Sequence, residues 1–565
     1  MDANRDYSKL LELVHETYPE IELQIEPYKG RNTTAYMKKQ LVADSFPDIY
    51  CTTQSWEDEL LEERLIDLSQ YRVSDLYNPA RLNEMDVNGA TYLLPFDFSV
   101  NGILCNKSLL ERLGLEIPTS FVQMRDETIP HLHEAGVEVA CCLLDPVGYY
   151  FQYFFNVADT GFMNTLDGRL WQKEFIAGHA NANANANANE SILACATYFQ
   201  EWIDNKLINL EHEGQKSGDV FNHFAEGNTA FLFGLFSRFS QNDDGTGDQY
   251  VLLPYLSVDG TQNVYITQNT RCYGLNKKLT EPGNEQKLED ALHVLEALST
   301  NDAYTAILGE ISSSMCSVKE FVLPETSPYY NAMLDINAGH AAPLVYNGWE
   351  SYLIPFSETV HDWIAGNGTA QTAMAALDDL QSDLMKNGTP YYTNVTEELS
   401  TEQAAVLCAQ MFLDAVPEAD AALISYNVYH PEVSSNLENG YGANGRILTG
   451  EMSEEDIVIF LPTGWYDHLM TAVRTGADIK QRAKDGCDLR GNGYPYPYVL
   501  MTRDGKELDD NTEYNVIFCG YPKAENDTLG LTDTGIVGLD AAKQYLSGVD
   551  ELSSKTLDLD RCLNL

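Results

Sequence analysis

The side chains in this sequence that could do chemistry are aromatic rings and a few polar groups beside them. Trp56 follows the apolar pair Ile49-Tyr50, Tyr149, Tyr150 and Tyr153 cluster after Gly148, and Trp349 follows Tyr346-Asn347-Gly348. An aromatic face can stack on a ligand, and a phenol can also hydrogen-bond it; the alternative for each ring is packing in a core. Both readings stay open for Trp56 and for the tyrosine cluster. Trp349 has no helical periodicity around it and is expected at a surface or a site. Asn269 and Arg271, just before an apolar segment, could meet a polar ligand; the alternative for Arg271 is an internal ion pair.

Catalytic motifs are missing. No G-x-S-x-G, H-E-x-x-H or Walker sequence supplies a nucleophile, a metal pair or a phosphate cradle. The 11 histidines are scattered, and the closest pair, His131 and His133, would face different sides of a helix. The expectation is therefore no catalytic residue, no metal, no cofactor and no enzyme.

Helices alternate with strands along the chain, which predicts an α/β layer architecture. Helical spacing is read at 7–14, 57–65, 107–113, 191–207, 288–298 and 373–385, and strands at 21–25, 100–105, 137–144, 231–233 and 250–253. The Asn-Ala repeats of 180–189 offer no apolar face and read as a surface loop whose last Asn, or Ser191, caps the next helix. Between 386 and 401 the composition turns to Gly, Pro, Tyr, Thr, Asn and Ser, which marks a domain boundary. Beyond it come a helix at 402–413, strands at 421–425, 498–500 and 514–518, a helical stretch at 467–482 and a late helix from Leu539.

The 565 residues carry 35 basic and 85 acidic side chains, a formal charge of −50, yet 44% are hydrophobic, with 33 Tyr and 21 Phe. That supports a folded protein of roughly three or four domains rather than a disordered one. The charge is spread along the chain and disfavours nucleic acid, which is bound by basic side chains that displace counterions. No apolar stretch reaches the roughly 18–20 residues that cross a bilayer. The 11 cysteines are odd in number, lack C-x-x-C and lie mostly in apolar text, so they read as buried thiols.

Two stretches resemble a known family. Phe46-Pro47-Asp48-Ile49-Tyr50 with Trp56 and Leu65-Ile66-Asp67-Leu68 is one. The other runs from Asn88-Gly89 through Tyr92-Leu93-Leu94-Pro95 and Asn101-Gly102-Ile103-Leu104-Cys105-Asn106-Lys107 to Leu113-Gly114-Leu115. Both are similar to motifs of extracellular solute-binding proteins of ABC importers, the sugar-type family 1. Phe224 to Phe231 and Cys272 to Lys278 resemble that family's later hairpin and return strand.

The resemblance implies a two-lobed periplasmic-binding-protein type II-like fold over 1–390. Lobe one would be about 1–105 and 272–325, and lobe two about 106–271 and 326–390, with a linker at 391–400. It implies an extracellular, surface-anchored monomer that captures a mono- or oligosaccharide by lobe closure and delivers it to ABC permease subunits. It also places Asp97 and Phe98 in a cleft loop, so the ligand set becomes Trp56, Asp97, Phe98, Tyr149, Tyr150, Asn269, Arg271 and Trp349. Family members begin with a strand before the first helix, so a clipped start is expected here.

A second resemblance covers 401–565. Gly450 to Pro462, Thr475-Gly476-Ala477-Asp478-Ile479-Lys480 and Asp504 to Val516 are similar, in order, to motifs of the 5'-nucleotidase C-terminal domain, a separate α/β fold. It implies nucleoside contacts from Asn427, Arg446 and Tyr521, and an alternative role as a nucleoside receptor or the non-catalytic part of a nucleotide hydrolase. The metal-binding motifs of the nucleotidase catalytic domain are absent from the sequence.

Overall fold

The computed structural model describes the chain except residues 1–6, 27, 29–31, 54–56, 143–148, 160, 161, 164, 184–188, 214–216, 235–246, 310–313, 345–347, 427–441, 466, 486–496, 519–529, 564 and 565, and a few further side chains at element ends. Contacts divide it into two units, one of Met1–Thr52, Asn276–Val294 and Thr389–Leu565, the other of Thr53–Leu275 and Leu295–Gly388.

In the second unit the spine is the strand Leu94–Asn106, buried at every position but one. It takes up both the extended Leu94-Pro95 and the strand expected at 100–105. It pairs antiparallel with Tyr265–Leu275, Thr229–Gly234, Tyr250–Leu253 and Met315–Cys316. Thr229–Gly234 continues the sheet through a parallel pairing with Glu138–Cys142. Gly102 permits the close approach of Tyr250–Leu253, since a Cβ there would meet the Leu253 carbonyl oxygen at 2.2 Å.

Helices Tyr149–Asp159, Glu190–Asp204, Glu350–Ile364 and Ala370–Asn387 gather an aromatic core that includes Phe154, Phe155, Phe199, Trp202 and Trp363. The amphipathic reading of 191–207 fits, with Ile192, Ala196 and Phe199 buried, but Trp202 is at the centre of the core rather than its edge. The helix stops at Asp204 because Lys206 turns to a φ of 56°. Asn189 caps its start by accepting from the Ser191 amide at 2.8 Å. The first part of the Asn-Ala tract is anchored rather than free: the Ala182 and Asn183 amides donate to the Asp378 carboxylate at 2.6 and 2.8 Å.

In the first unit a five-stranded mixed sheet runs in the order Tyr498–Thr502, Ala421–Ser425, Glu513–Phe518, His468–Thr475, Thr532–Val537. The helix Thr401–Ala415, buried from Ala404 through Leu413, lies in its core. Residues 467–482, expected to be helical throughout, divide at Thr475. His468–Thr475 is a strand because its apolar residues pair with Glu513–Phe518, and the helix Gly476–Asp485 follows.

Residues 21–25 correct another expectation. Burial alternates along them as in a strand, but they lie in no ladder, and alternation without a paired neighbour does not make one. By contacts, Thr389–Leu565 falls in one unit with Met1–Thr52 and Asn276–Val294. Tyr28 stacks on Tyr36 with centroids 4.3 Å apart and donates to the Ile459 carbonyl at 2.7 Å, and Lys39 donates to the Glu451 carbonyl at 2.6 Å.

The described cysteines follow the sequence reading. Cys105, Cys272, Cys316 and Cys408 are buried; burial pushes Cys316 up to about 12 and Cys105 well above its ordinary value. Since the thiolate is the nucleophile, these four should be alkylated by iodoacetamide at neutral pH only after unfolding. Cys51, partly exposed, should be labelled before them. Peptide mass spectrometry checks this, and native labelling of Cys316 at the rate of Cys51 would contradict it.

Candidate ligand-binding site

The sequence-predicted polar residues Asp97, Asn269 and Arg271 converge where Leu94–Asn106 pairs with Tyr265–Leu275. The ladder there is irregular: the register slips between Pro95 and Asp97 and again between Asp97 and Phe98. A bulge bends a strand and re-aims its side chains, which is why bulges recur beside binding sites. Here it buries the Asp97 carboxylate completely. Arg271 Nε lies 3.2 Å from one carboxylate oxygen, and the Thr270 hydroxyl donates to the other at 2.6 Å.

A second buried charge lies against Phe98. Arg81, fully buried, follows the Asn78 cap and Pro79 on the short helix Pro79–Asn83. Its guanidinium pairs with Glu84 and donates to Thr267 Oγ1 at 3.0 Å and Asn269 Oδ1 at 2.8 Å. Its Cζ lies 4.0 Å from the centroid of the Phe98 ring, a cation–π contact strengthened by desolvation. Phe98, expected to stack on ligand, therefore stacks on Arg81, and Asn269 is one of that arginine's acceptors. Around them Ser99, Gln268, Asn269 and Thr270 form a half-buried polar row. Sequence reading missed Arg81, Glu84, Gln268 and Thr270; of these only Gln268 and Thr270 could have been found, by their spacing around Asn269.

Trp349 and Tyr150 belong to the hydrophobic core instead. Trp349 does not reach a surface. It is fully buried, 4.8 Å from Phe155 and stacked on Phe175 at 5.4 Å, and donates from Nε1 to Gln172 at 3.3 Å. It precedes the helix Glu350–Ile364, and that element's apolar face, which the irregular text ahead of it hid, carries the ring inward. Tyr150 is buried, edge-on to His361 at 5.0 Å and to Tyr153 at 6.1 Å, which is the packing alternative. Tyr149 opens the same helix; its side chain, with Trp56, Asn427 and Tyr521, lies outside the described residues.

Arg446, expected to face a nucleoside, is taken up inside its own unit. Its guanidinium lies 3.1 Å from Glu26 and pairs with Glu398, and Nε points at the Tyr36 hydroxyl at 3.4 Å. Burial pushes the Tyr36 phenol up against the pull of that guanidinium.

One further cluster escaped the sequence. Glu138, His212 and His223 come together at the start of the strand Glu138–Cys142, with His212 Nε2 at 3.3 Å and His223 Nε2 at 2.8 Å from its two carboxylate oxygens. Burial pushes the Glu138 carboxyl up, but hydrogen bonds from His223, His212 and Thr229 outweigh this and hold it below the usual value.

The buried pair at the bulge sets the first mutational expectation. Removing one partner of a buried ion pair leaves a charge uncompensated and costs about 3–5 kcal/mol. Asp97→Ala should lower the guanidinium unfolding midpoint clearly, and Asp97→Ala with Arg271→Met should recover part of the loss. A double variant less stable than Asp97→Ala alone would contradict the pairing. Trp349→Ala should cost about 3–5 kcal/mol as a large core truncation; a change below about 1 kcal/mol would mean the ring is not packed as described.

Comparisons with known proteins come to the same region of the chain. Among curated proteins none matches. The family 1 extracellular solute-binding protein from Bifidobacterium longum subsp. infantis has 13% identity and a TM-score of 0.52, with 68% of this chain and 97% of that one covered. The apo form of RafE from Streptococcus pneumoniae has 16% identity and a TM-score of 0.52, covering 66% and 94%. RafE in complex with raffinose has 15% identity and a TM-score of 0.50, covering 66% and 96%. At these identities the likeness is one of fold, a mixed α/β fold over about two thirds of the chain. Residues 4–271, which include Arg81, Glu84, Asp97 and Arg271, match the family model of the bacterial extracellular solute-binding proteins.

Proposed function

We propose that this protein is the extracellular capturing component of an ABC importer for a mono- or oligosaccharide, held at the cell surface and acting as a monomer that closes two lobes about its sugar. The observation that carries the reading is the family match over residues 4–271; the fold it shares with a raffinose-bound protein supports the choice of sugar. Among the described residues no helix is long and apolar enough to cross the membrane, which fits a partner permease that does the crossing.

In this reading the half-buried Gln268 and Thr270 offer hydrogen bonds to sugar hydroxyls. Asp97 and Arg271 act from beneath, holding the bulged backbone so that those groups do not reorganise on binding. Preorganised polar groups with few free rotamers keep the ordering cost of binding low. Trp56 and Tyr149 are the rings that would stack on a pyranose face. Closure needs ligand to bind the closed state better than the open one.

The test is calorimetry of the full chain with raffinose, maltotriose, glucose, adenosine and AMP. One of the sugars should bind with a Kd near 1 μM, about −8 kcal/mol, and at 100 times that Kd should stabilise the fold by about 2.7 kcal/mol. Gln268→Ala and Trp56→Ala should each weaken binding about tenfold or more, about 1.4 kcal/mol, with the unliganded melting temperature unchanged by Gln268→Ala. Absence of heat with every sugar overturns the proposal, and heat with adenosine alone replaces it by nucleoside capture.

A further inference from the structure

We infer that Glu138, His212 and His223 form a binding site for a divalent transition-metal ion, Zn2+ being the best fit, with a coordination position open to solvent. The inference is independent of the sugar reading. The ligand atoms of all three residues lie within 4.8 Å of one another. Tetrahedral Zn2+ with bonds near 2.0–2.1 Å needs its donors roughly 3.3 Å apart. The spacing from carboxylate to imidazole is already 2.8 Å for His223 and 3.3 Å for His212. Two imidazoles and one carboxylate are a donor set that Zn2+ accepts with a further position left for water or another ligand.

The surroundings are those a metal site uses. His223 Nδ1, the ring nitrogen turned away from Glu138, lies 3.7 Å from the Glu226 carboxylate. A carboxylate behind a ligating histidine fixes its tautomer and raises its basicity. The Thr229 hydroxyl donates to Glu138 Oε2 at 3.0 Å, and Thr229 and Glu138 are register partners in the parallel pairing of Thr229–Gly234 with Glu138–Cys142, so the carboxylate is held by the sheet. His212 is 8% exposed and so buried in place, while the His223 side chain is 37% exposed, which gives an ion an entry path. The three residues come from a strand, a turn after the helix Glu190–Asp204 and the end of the helix Ser217–His223. A shared ion would tie these elements together, and the net charge of −50 would favour cation approach.

Calorimetric titration of the EDTA-treated, dialysed full chain with ZnCl2 tests this. The expected result is one tight equivalent per chain, set apart from weak binding by exposed carboxylates. Glu138→Gln and His223→Gln should each weaken that step about ten- to hundredfold, while Asp504→Asn, at an exposed carboxylate of the other unit, leaves it unchanged. Zn2+ should raise the melting temperature of the wild type and not that of Glu138→Gln. Lack of a stoichiometric step, or variants that bind as the wild type does, overturns the inference. If both variants unfold, the wild-type chain titrated with Co2+ decides: an intense visible spectrum of tetrahedral Co2+ that Zn2+ abolishes supports the site, and the weak spectrum of hydrated Co2+ refutes it.

Discussion

Two ion pairs, one on an irregular ladder and one bonded to it from a short helix, organise this part of the second unit. Asp97 with Arg271 and Arg81 with Glu84 lie where the strand Leu94–Asn106 slips register twice against Tyr265–Leu275. Charges in a low-dielectric interior are tolerable only when their partners and hydrogen-bond donors are all in place. Thr267 and Asn269 accept from Arg81, and Thr270 donates to Asp97. The bulge, the pairs and the hydroxyls therefore stand or fall together, and the polar row of Ser99, Gln268 and Thr270 inherits its position from them.

The aromatic core supplies the rigidity on which this depends. Trp349, Phe155, Phe175 and Trp171 interlock at centroid separations of 4.8 to 6.2 Å, within the range where ring quadrupoles favour tilted and offset contacts. A core of large rings with few rotatable bonds loses little side-chain entropy on ordering and makes a stiff platform. The rings that sequence reading offered to a ligand, Tyr150 and Trp349, belong to this platform.

The first unit joins chain segments far apart in sequence by the same means on a smaller scale. The stacked Tyr28 and Tyr36 pack with Leu448 and Ile459, and Arg446 gathers Glu26, Tyr36 and Glu398 around one guanidinium. A planar, always-charged group with five donors suits such a junction. That use accounts for Arg446 without a nucleoside. The five-stranded mixed sheet beside it is an α/β arrangement, as the alternating elements of 401–565 suggested.

Periodicity was enough to find most elements, because an apolar face repeating every 3.6 or 2 residues has one economical way to be buried: the helices at 190–204, 370–387 and 401–415 and the strands at 250–253 and 421–425 were legible for that reason. The family motifs along 46–118 were legible too, since they are local. What failed were features that depend on a neighbour. The alternating segment 21–25 has no ladder to join, and 468–475 is a strand only because Glu513–Phe518 lies beside it. The sequence by itself determined an acidic α/β chain without the catalytic motifs sought, with Asp97, Asn269 and Arg271 as its polar residues of interest. Only the tertiary structure decided that Trp349 is core, that Arg81 lies beneath Phe98, and that Glu138, His212 and His223 meet. A contact between residues tens or hundreds of positions apart is fixed by how whole elements pack, and local side-chain spacing does not encode it.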